Sequence, residues 1–116
     1  MNKNQILLTL LCVVMIASGQ ILFKKSGIEI RNSETWFTFK NFLLLSFAFA
    51  IYASATFLWI DLLKAIPLSR AYVFMSLSFV IVPLASVIFF HEKLSFLYII
   101  GAAFIVFGII LASQAS

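Results

Sequence analysis

Every charged residue of this chain, and its single histidine, falls outside four apolar runs at 6–23, 41–60, 71–90 and 94–116, which fill 81 of 116 positions. A helix rises about 1.5 Å per residue, so runs of this length reach about 27–35 Å, the thickness of a bilayer's hydrocarbon. The chain is 64% hydrophobic and 10% charged, with a mean hydropathy of +1.15. A soluble fold of that composition would lack polar surface to cover itself. The expected fold class is all-α and integral to the membrane: four transmembrane helices with short connections, forming one domain over 1–116. The spans are placed at about 5–23, 37–63, 68–90 and 94–113.

The formal charge of +4 would suggest a nucleic-acid partner in a soluble protein. Here the basic residues sit at membrane borders, where they meet lipid phosphates or set topology, so no nucleic acid is expected. Cys12 lies alone inside the first run and His91 is the only histidine, which leaves no disulfide, metal site or cofactor to predict. Lys3, the stretch Ile6–Ala17 and the triplet Ala17-Ser18-Gly19 imitate a secretory signal and its cleavage site. Against that, Gln20–Phe23 carries the apolar run on to Lys24-Lys25, and cleavage would leave three spans.

The first span is read as ending at Lys24-Lys25. The connection 24–40 is the longest and holds half of the 12 formal charges: Lys24, Lys25, Glu29, Arg31, Glu34 and Lys40. Asn32-Ser33 reads as a turn and cap for the second helix, which would place Glu34 near that helix's positive end. Trp36 and Phe37 suit an interfacial belt, so the second helix should start before its apolar run. Pro67 fits the first turn of the third helix. Pro83, about two-thirds along the third run, predicts a kink. The short turn His91-Glu92-Lys93 makes the last two spans an antiparallel hairpin. Four spans put both termini on one side with Lys3, Lys64 and Arg70, against Lys24, Lys25, Arg31, Lys40 and Lys93 opposite. Five against three weakly favours a cytoplasmic 24–40 connection, and also suits a chain inserting both ways.

Polar groups at membrane depth need another helix or a water-lined cavity. Span one offers Ser18, Gly19 and Gln20, one turn before Lys24. Span three offers Tyr72, Ser76, Phe79, Pro83 and Ser86, whose spacing puts them on one face. That stripe suits a cavity wall; the competing reading is packing, with hydroxyls bonded to neighbouring backbones. Packing is favoured for Ser76 and Ser86 taken singly, cavity lining for Tyr72 and Gln20. Lys24 could reach an anionic head group at a helix–helix crevice, and a Lys24–Glu92 pair is geometrically possible. Gly101, Ile105, Gly108 and Ala112 share a face that permits close backbone approach, and is expected to help assemble a dimer, because four short helices hardly enclose a substrate path. Ser46, Ala50 and Ala53 of span two are not separable from ordinary packing residues. No acid pair at depth, metal-ligand spacing or phosphate loop is present, so no enzyme is expected.

Gly19-Gln20-x-x-x-Lys24, Ile66-Pro67-x-x-x-Ala71-Tyr72, Phe89-Phe90-x-x-Lys93-Leu94, Ile100-Gly101 and Gly108 resemble the small members of the drug/metabolite transporter superfamily over nearly the whole chain. Length and span number also resemble the small multidrug resistance family, which implies a dimer and alternating access. That family's antiporters carry an embedded glutamate where Ile16 stands here, a tryptophan at Met75, and a glycine pair at Leu77 and Phe79. Proton-coupled cation export by that mechanism is therefore not expected. Ala71-Tyr72-x-x-x-Ser76-Leu77-x-Phe79-Val80, His91-Glu92 and the Gly19 motif are more similar to the subunits of the 4-amino-4-deoxy-L-arabinose-phosphoundecaprenol flippase. This resemblance implies a multi-pass protein of the bacterial inner membrane that moves an undecaprenyl-phosphate-linked sugar. Its implied partners are that lipid-linked sugar, membrane lipid, and a second copy or a paralogous small subunit. By position it implies Gln20, Lys24, Tyr72, Ser76 and Glu92 as head-group residues. The alternatives are a small exporter of organic cations or other solutes, and an accessory subunit that does not itself transport.

Overall fold

A computed structural model describes residues 2–115. Five helices follow in chain order: α1 (Lys3–Ser33), α2 (Phe39–Leu63), α3 (Leu68–Met75), α4 (Ser78–Phe90) and α5 (Phe96–Ala115). No strand occurs among the described residues. Helices α3 and α4 together make the third apolar span, Leu68–Phe90, so four stretches are long and apolar enough to cross a membrane.

α1 opens on a capping box, in which Asn2 Oδ1 accepts from Gln5 N–H at 2.9 Å and Gln5 Oε1 accepts from Asn2 N–H at 3.1 Å. It does not stop at Lys24-Lys25 but runs on to Ser33. At about 1.5 Å per residue its 31 residues exceed the hydrocarbon thickness by several turns. Past Lys24 the charges stand outside lipid, where they are no obstacle to helix, so the lysine pair marks a membrane border and not a helix end. Asn32 and Ser33 therefore close α1 instead of opening α2. Glu34 caps α1 in the left-handed conformation (φ 61°), its N–H donating to Ile30 O at 2.8 Å. It thus sits at the negative end of α1, not at the positive end of α2. The cap of α2 is Thr38, whose Oγ1 accepts from Asn41 N–H at 3.0 Å.

α1 and α2 form the main packed pair. Buried positions at seven-residue spacing line their seam: Cys12, Gly19 and Ser26 on α1, where Thr9, Val13 and Ala17 are also buried, and Asn41, Ala48, Ala55 and Leu62 on α2. A period near 3.5 keeps a seam facing its partner, and small side chains let the two backbones approach. The seam is pinned near one end by Ser26, which hydrogen-bonds Asn41, and Asn41 Nδ2 donates to Trp36 O at 2.8 Å. Ser46, Ala50 and Ala53 lie on the exposed side of α2.

The third span is irregular at Ser76–Ser78, a turn before Pro83. Leu77, Phe79 and Val80 donate to the carbonyls three residues back, each at 3.0 Å, so the chain tightens to 3₁₀ geometry there. Two causes converge. Pro83 cannot bond the Phe79 carbonyl and its ring presses on it. Tyr72 O receives both Ser76 N–H (3.0 Å) and Ser76 Oγ (2.9 Å), back-bonding that bends helices. At the far end of α4, His91 adopts the left-handed conformation (φ 54°) and turns the chain into α5.

α5 buries no residue, and a Cβ added at Gly101 or Gly108 would meet nothing within 4 Å. The molecule measures 48 × 37 × 17 Å. α5 packs sparsely, chiefly against α3 and α4, so the helices form an open arrangement and not a closed bundle.

Candidate functional site

Gln20 projects from α1 towards α2 and the third span, at the common wall of two adjoining cavities. The larger of the two, about 400 Å³, is lined by Gln20, Tyr52, Thr56, Trp59, Tyr72 and Ser76, with Ile16 and Met75 among its apolar contributors. The smaller, about 190 Å³, is lined by Gln20, Lys24, Ser86 and Glu92 with Ile21, Val82 and Phe90. All five residues selected from the sequence line one cavity or the other, and Gln20 lines both.

The local architecture follows from Gly19. With no side chain there, the Tyr52 ring lies directly over α1. The ring stacks on Phe23 with centroids 5.3 Å apart, and its hydroxyl accepts from Gln20 Nε2 at 2.6 Å. Gln20 is thereby held towards the cavity. Trp59 meets Tyr72 edge to face at 6.4 Å, forming an aromatic wall. Ser76 Oγ donates to Tyr72 O at 2.9 Å and Ser86 Oγ to Pro83 O at 2.7 Å, each within its own helix. Both hydroxyl oxygens keep acceptor capacity, though their protons are engaged.

At the outer rim Lys24 Nζ stands 3.7 Å from Glu92 Oε2, with side chains 49% and 42% exposed. Such a pair contributes about 0–1 kcal/mol to stability. Its chemical value lies in presenting one cation and one anion side by side at a cavity mouth. Among the described residues the 400 Å³ cavity has no charged lining, and Ile16 sits in its wall.

Residues 3–114 match the EamA-like transporter family. The chain belongs to that family. Among its relatives is the probable 4-amino-4-deoxy-L-arabinose-phosphoundecaprenol flippase subunit ArnE of Aeromonas salmonicida. It is 34% identical over 110 residues, covering 93% of this chain and 95% of the relative. Proteins of the same name from Yersinia pseudotuberculosis (32% over 110 residues; 95% and 96% covered) and Proteus mirabilis (29% over 109 residues; 94% and 96%) are similar throughout. No solved structure matches the chain. With four span-length helices in an EamA-like transporter, the chain is a multi-pass membrane protein, and the resemblance drawn from its motifs extends over nearly its whole length.

For a member of this family the sequence reading missed one central residue. Tyr52 organises the crevice, yet a tyrosine in an apolar run is unremarkable alone. The available signal was Gly19, a gap on α1 that a ring from a neighbouring helix fills, followed by Gln20, a polar group needing a partner.

Proposed function

We propose that the chain is one subunit of a flippase that carries a polyprenyl-phosphate-linked sugar across the bacterial inner membrane. The observation that carries this reading is the position of Gln20, which stands between an uncharged hydroxyl- and aromatic-lined cavity and the cavity at the Lys24–Glu92 rim. A polyprenyl tail stays in lipid throughout, and only its phosphosugar must be shielded. In this role Lys24 holds the phosphate as a charge-assisted donor, while Gln20, Tyr52, Tyr72 and Ser76 exchange hydrogen bonds with sugar hydroxyls. The relatives' named cargo bears an amino group. Glu92 beside Lys24 suits such a zwitterionic head group, carboxylate to ammonium and ammonium to phosphate.

One copy does not close this path. The open surface of α5 at Gly101 and Gly108 favours a second small subunit, identical or paralogous, laid against it. An exporter of organic cations is disfavoured by Ile16 in the wall of the 400 Å³ cavity, since a proton-exchanging acid is the group such chemistry needs there.

The test is reconstitution of the protein, alone and with a paralogous small subunit, in liposomes carrying a labelled polyprenyl-phosphate sugar. The expected result is head-group exposure in the opposite leaflet, insensitive to a collapsed pH gradient. No translocation in either arrangement rules the reading out. Cation flux driven by a pH gradient in lipid without the polyprenyl carrier would establish the exporter instead. In the same assay Tyr52→Phe should transport about five- to tenfold more slowly while inserting normally, the effect of one lost hydrogen bond of about 1 kcal/mol on Gln20.

A further inference from the structure

In the flippase reading the Lys24 crevice serves one border of the membrane, and a second cation at the other border would offer the anionic cargo a counter-charge there. A third cavity, about 610 Å³, lies at the other border among the start of α1, the first turns of α3 and the end of α5. Its lining includes Ile6, Ser69, Arg70, Phe74 and Ser113. Ile6 and Lys24 are eighteen residues apart on one helix, a separation of about 27 Å along its axis, close to a full hydrocarbon thickness.

Three basic residues share that border: Lys3, Lys64 and Arg70. Lys64 is engaged by Asp61 at 2.9 Å, one turn away. Lys3 is exposed in the first turn of α1. Arg70 alone lines a cavity; it is half-buried, and among the described residues no carboxylate pairs with it. A guanidinium there, in a pocket whose other described lining is two serines, Ser69 and Ser113, and apolar side chains, is matched to a phosphate, which its planar fork binds through two parallel hydrogen bonds. The walls around it suit the acyl or prenyl chain attached to that phosphate.

Building on the flippase reading, we infer that the Arg70 cavity is a second phosphate-binding station, which receives the lipid-linked phosphate in the leaflet opposite the Lys24 crevice. Cargo is handed between two cationic stations separated by the uncharged cavity around Gln20 and Tyr72. A soluble phosphate would satisfy the same guanidinium, and the test separates the two sources.

The full chain is placed in phosphatidylcholine nanodiscs with a photoreactive undecaprenyl phosphate, and cross-linked peptides are mapped. Labelling is expected in two places, around Lys24 and around Ser69–Phe74 with Ser113. Arg70→Gln should lower labelling at the second place at least about tenfold and leave the first intact, whereas Arg70→Lys, keeping charge without the fork, should lose about threefold or less. Retained labelling at Lys24 in the same sample shows that the variant is folded. Resistance to millimolar inorganic phosphate supports a lipid source, and displacement by it supports phosphate chemistry with a soluble one. Labelling confined to the Lys24 crevice, or unchanged at the second place in Arg70→Gln, overturns the station and leaves the flippase reading standing. Labelling at neither place overturns both.

Discussion

Lys24→Glu should abolish head-group translocation, a loss on the order of a hundredfold or more, while the protein still inserts and folds. Among the described residues Lys24 is the one cation lining this cavity, and the substitution puts a carboxylate in its place facing Glu92, which Lys24 Nζ approaches to 3.7 Å. An anionic phosphate arriving at that rim meets two negative charges where it formerly met a balanced pair, and like-charge juxtaposition costs several kcal/mol. Folding is insulated because both side chains are nearly half exposed, and exposed pairs contribute about 0–1 kcal/mol. Lys24→Gln should fall between, since it removes attraction without adding repulsion. The exchange Lys24→Glu with Glu92→Lys is the most telling variant. It restores a neutral rim with one charge of each sign, so partial recovery is expected if local charge alone admits the cargo, and none if the cation must sit one turn after Gln20. Translocation at the parental rate by Lys24→Glu, at equal membrane abundance, removes Lys24 from the site.

The spans were legible because lipid tolerates charge so poorly that twelve charged residues and one histidine mark out the apolar runs directly. Helix ends were not, for the same reason in reverse. Beyond Lys24 the solvent changes and charged residues are good helix formers, so nothing from Lys24 to Asn32 halts α1 before Ser33. The α1–α2 seam was hidden by the bilayer itself. In water a buried face is the apolar one, but in lipid both faces are apolar, and hydrophobic periodicity carries no direction. The seam is written instead in small and polar residues at seven-residue spacing, Cys12, Gly19 and Ser26 against Asn41, Ala48 and Ala55.

The candidate site was legible to the extent that its members are unusual in hydrocarbon. Gln20 and the Tyr72–Ser76 step stand out within their runs, and Lys24 and Glu92 stand out at their borders. Tyr52 and Trp59 do not, because aromatic residues are at home in membranes and their role comes only from what lies opposite. The face of α5 is a different case. A Cβ added at Gly101 or Gly108 would meet nothing within 4 Å, so packing within the chain gives these two glycines no role.

Gly19→Ala should be the most disruptive single-methyl change in the molecule. An ideal Cβ at position 19 overlaps Tyr52 Cε2 and comes within 2.7 Å of Cδ2 and 3.2 Å of Cζ. The ring has little freedom to withdraw, being stacked on Phe23 at 5.3 Å and tied to Gln20 at 2.6 Å. Either the ring rotates and releases Gln20, or α1 and α2 move apart along the seam. Overpacking of this kind costs about 1–3 kcal/mol, and replacing glycine within a helix returns about 0.5–1 kcal/mol. The net expectation is a lower melting temperature in detergent, together with at least a tenfold slower translocation, because the Gln20–Tyr52 arrangement fails even where the fold survives. The same substitution at Gly108 meets open space, so it should leave the melt of the isolated chain unchanged or slightly raised. If the α5 face seats a second subunit, Gly108→Ala should instead weaken subunit pairing, read by cross-linking in the membrane. The two glycines thus separate packing within the chain from packing between chains. A Gly19→Ala protein that melts and transports like its parent would show that Tyr52 does not lie over α1, and the crevice built on that contact would fall with it.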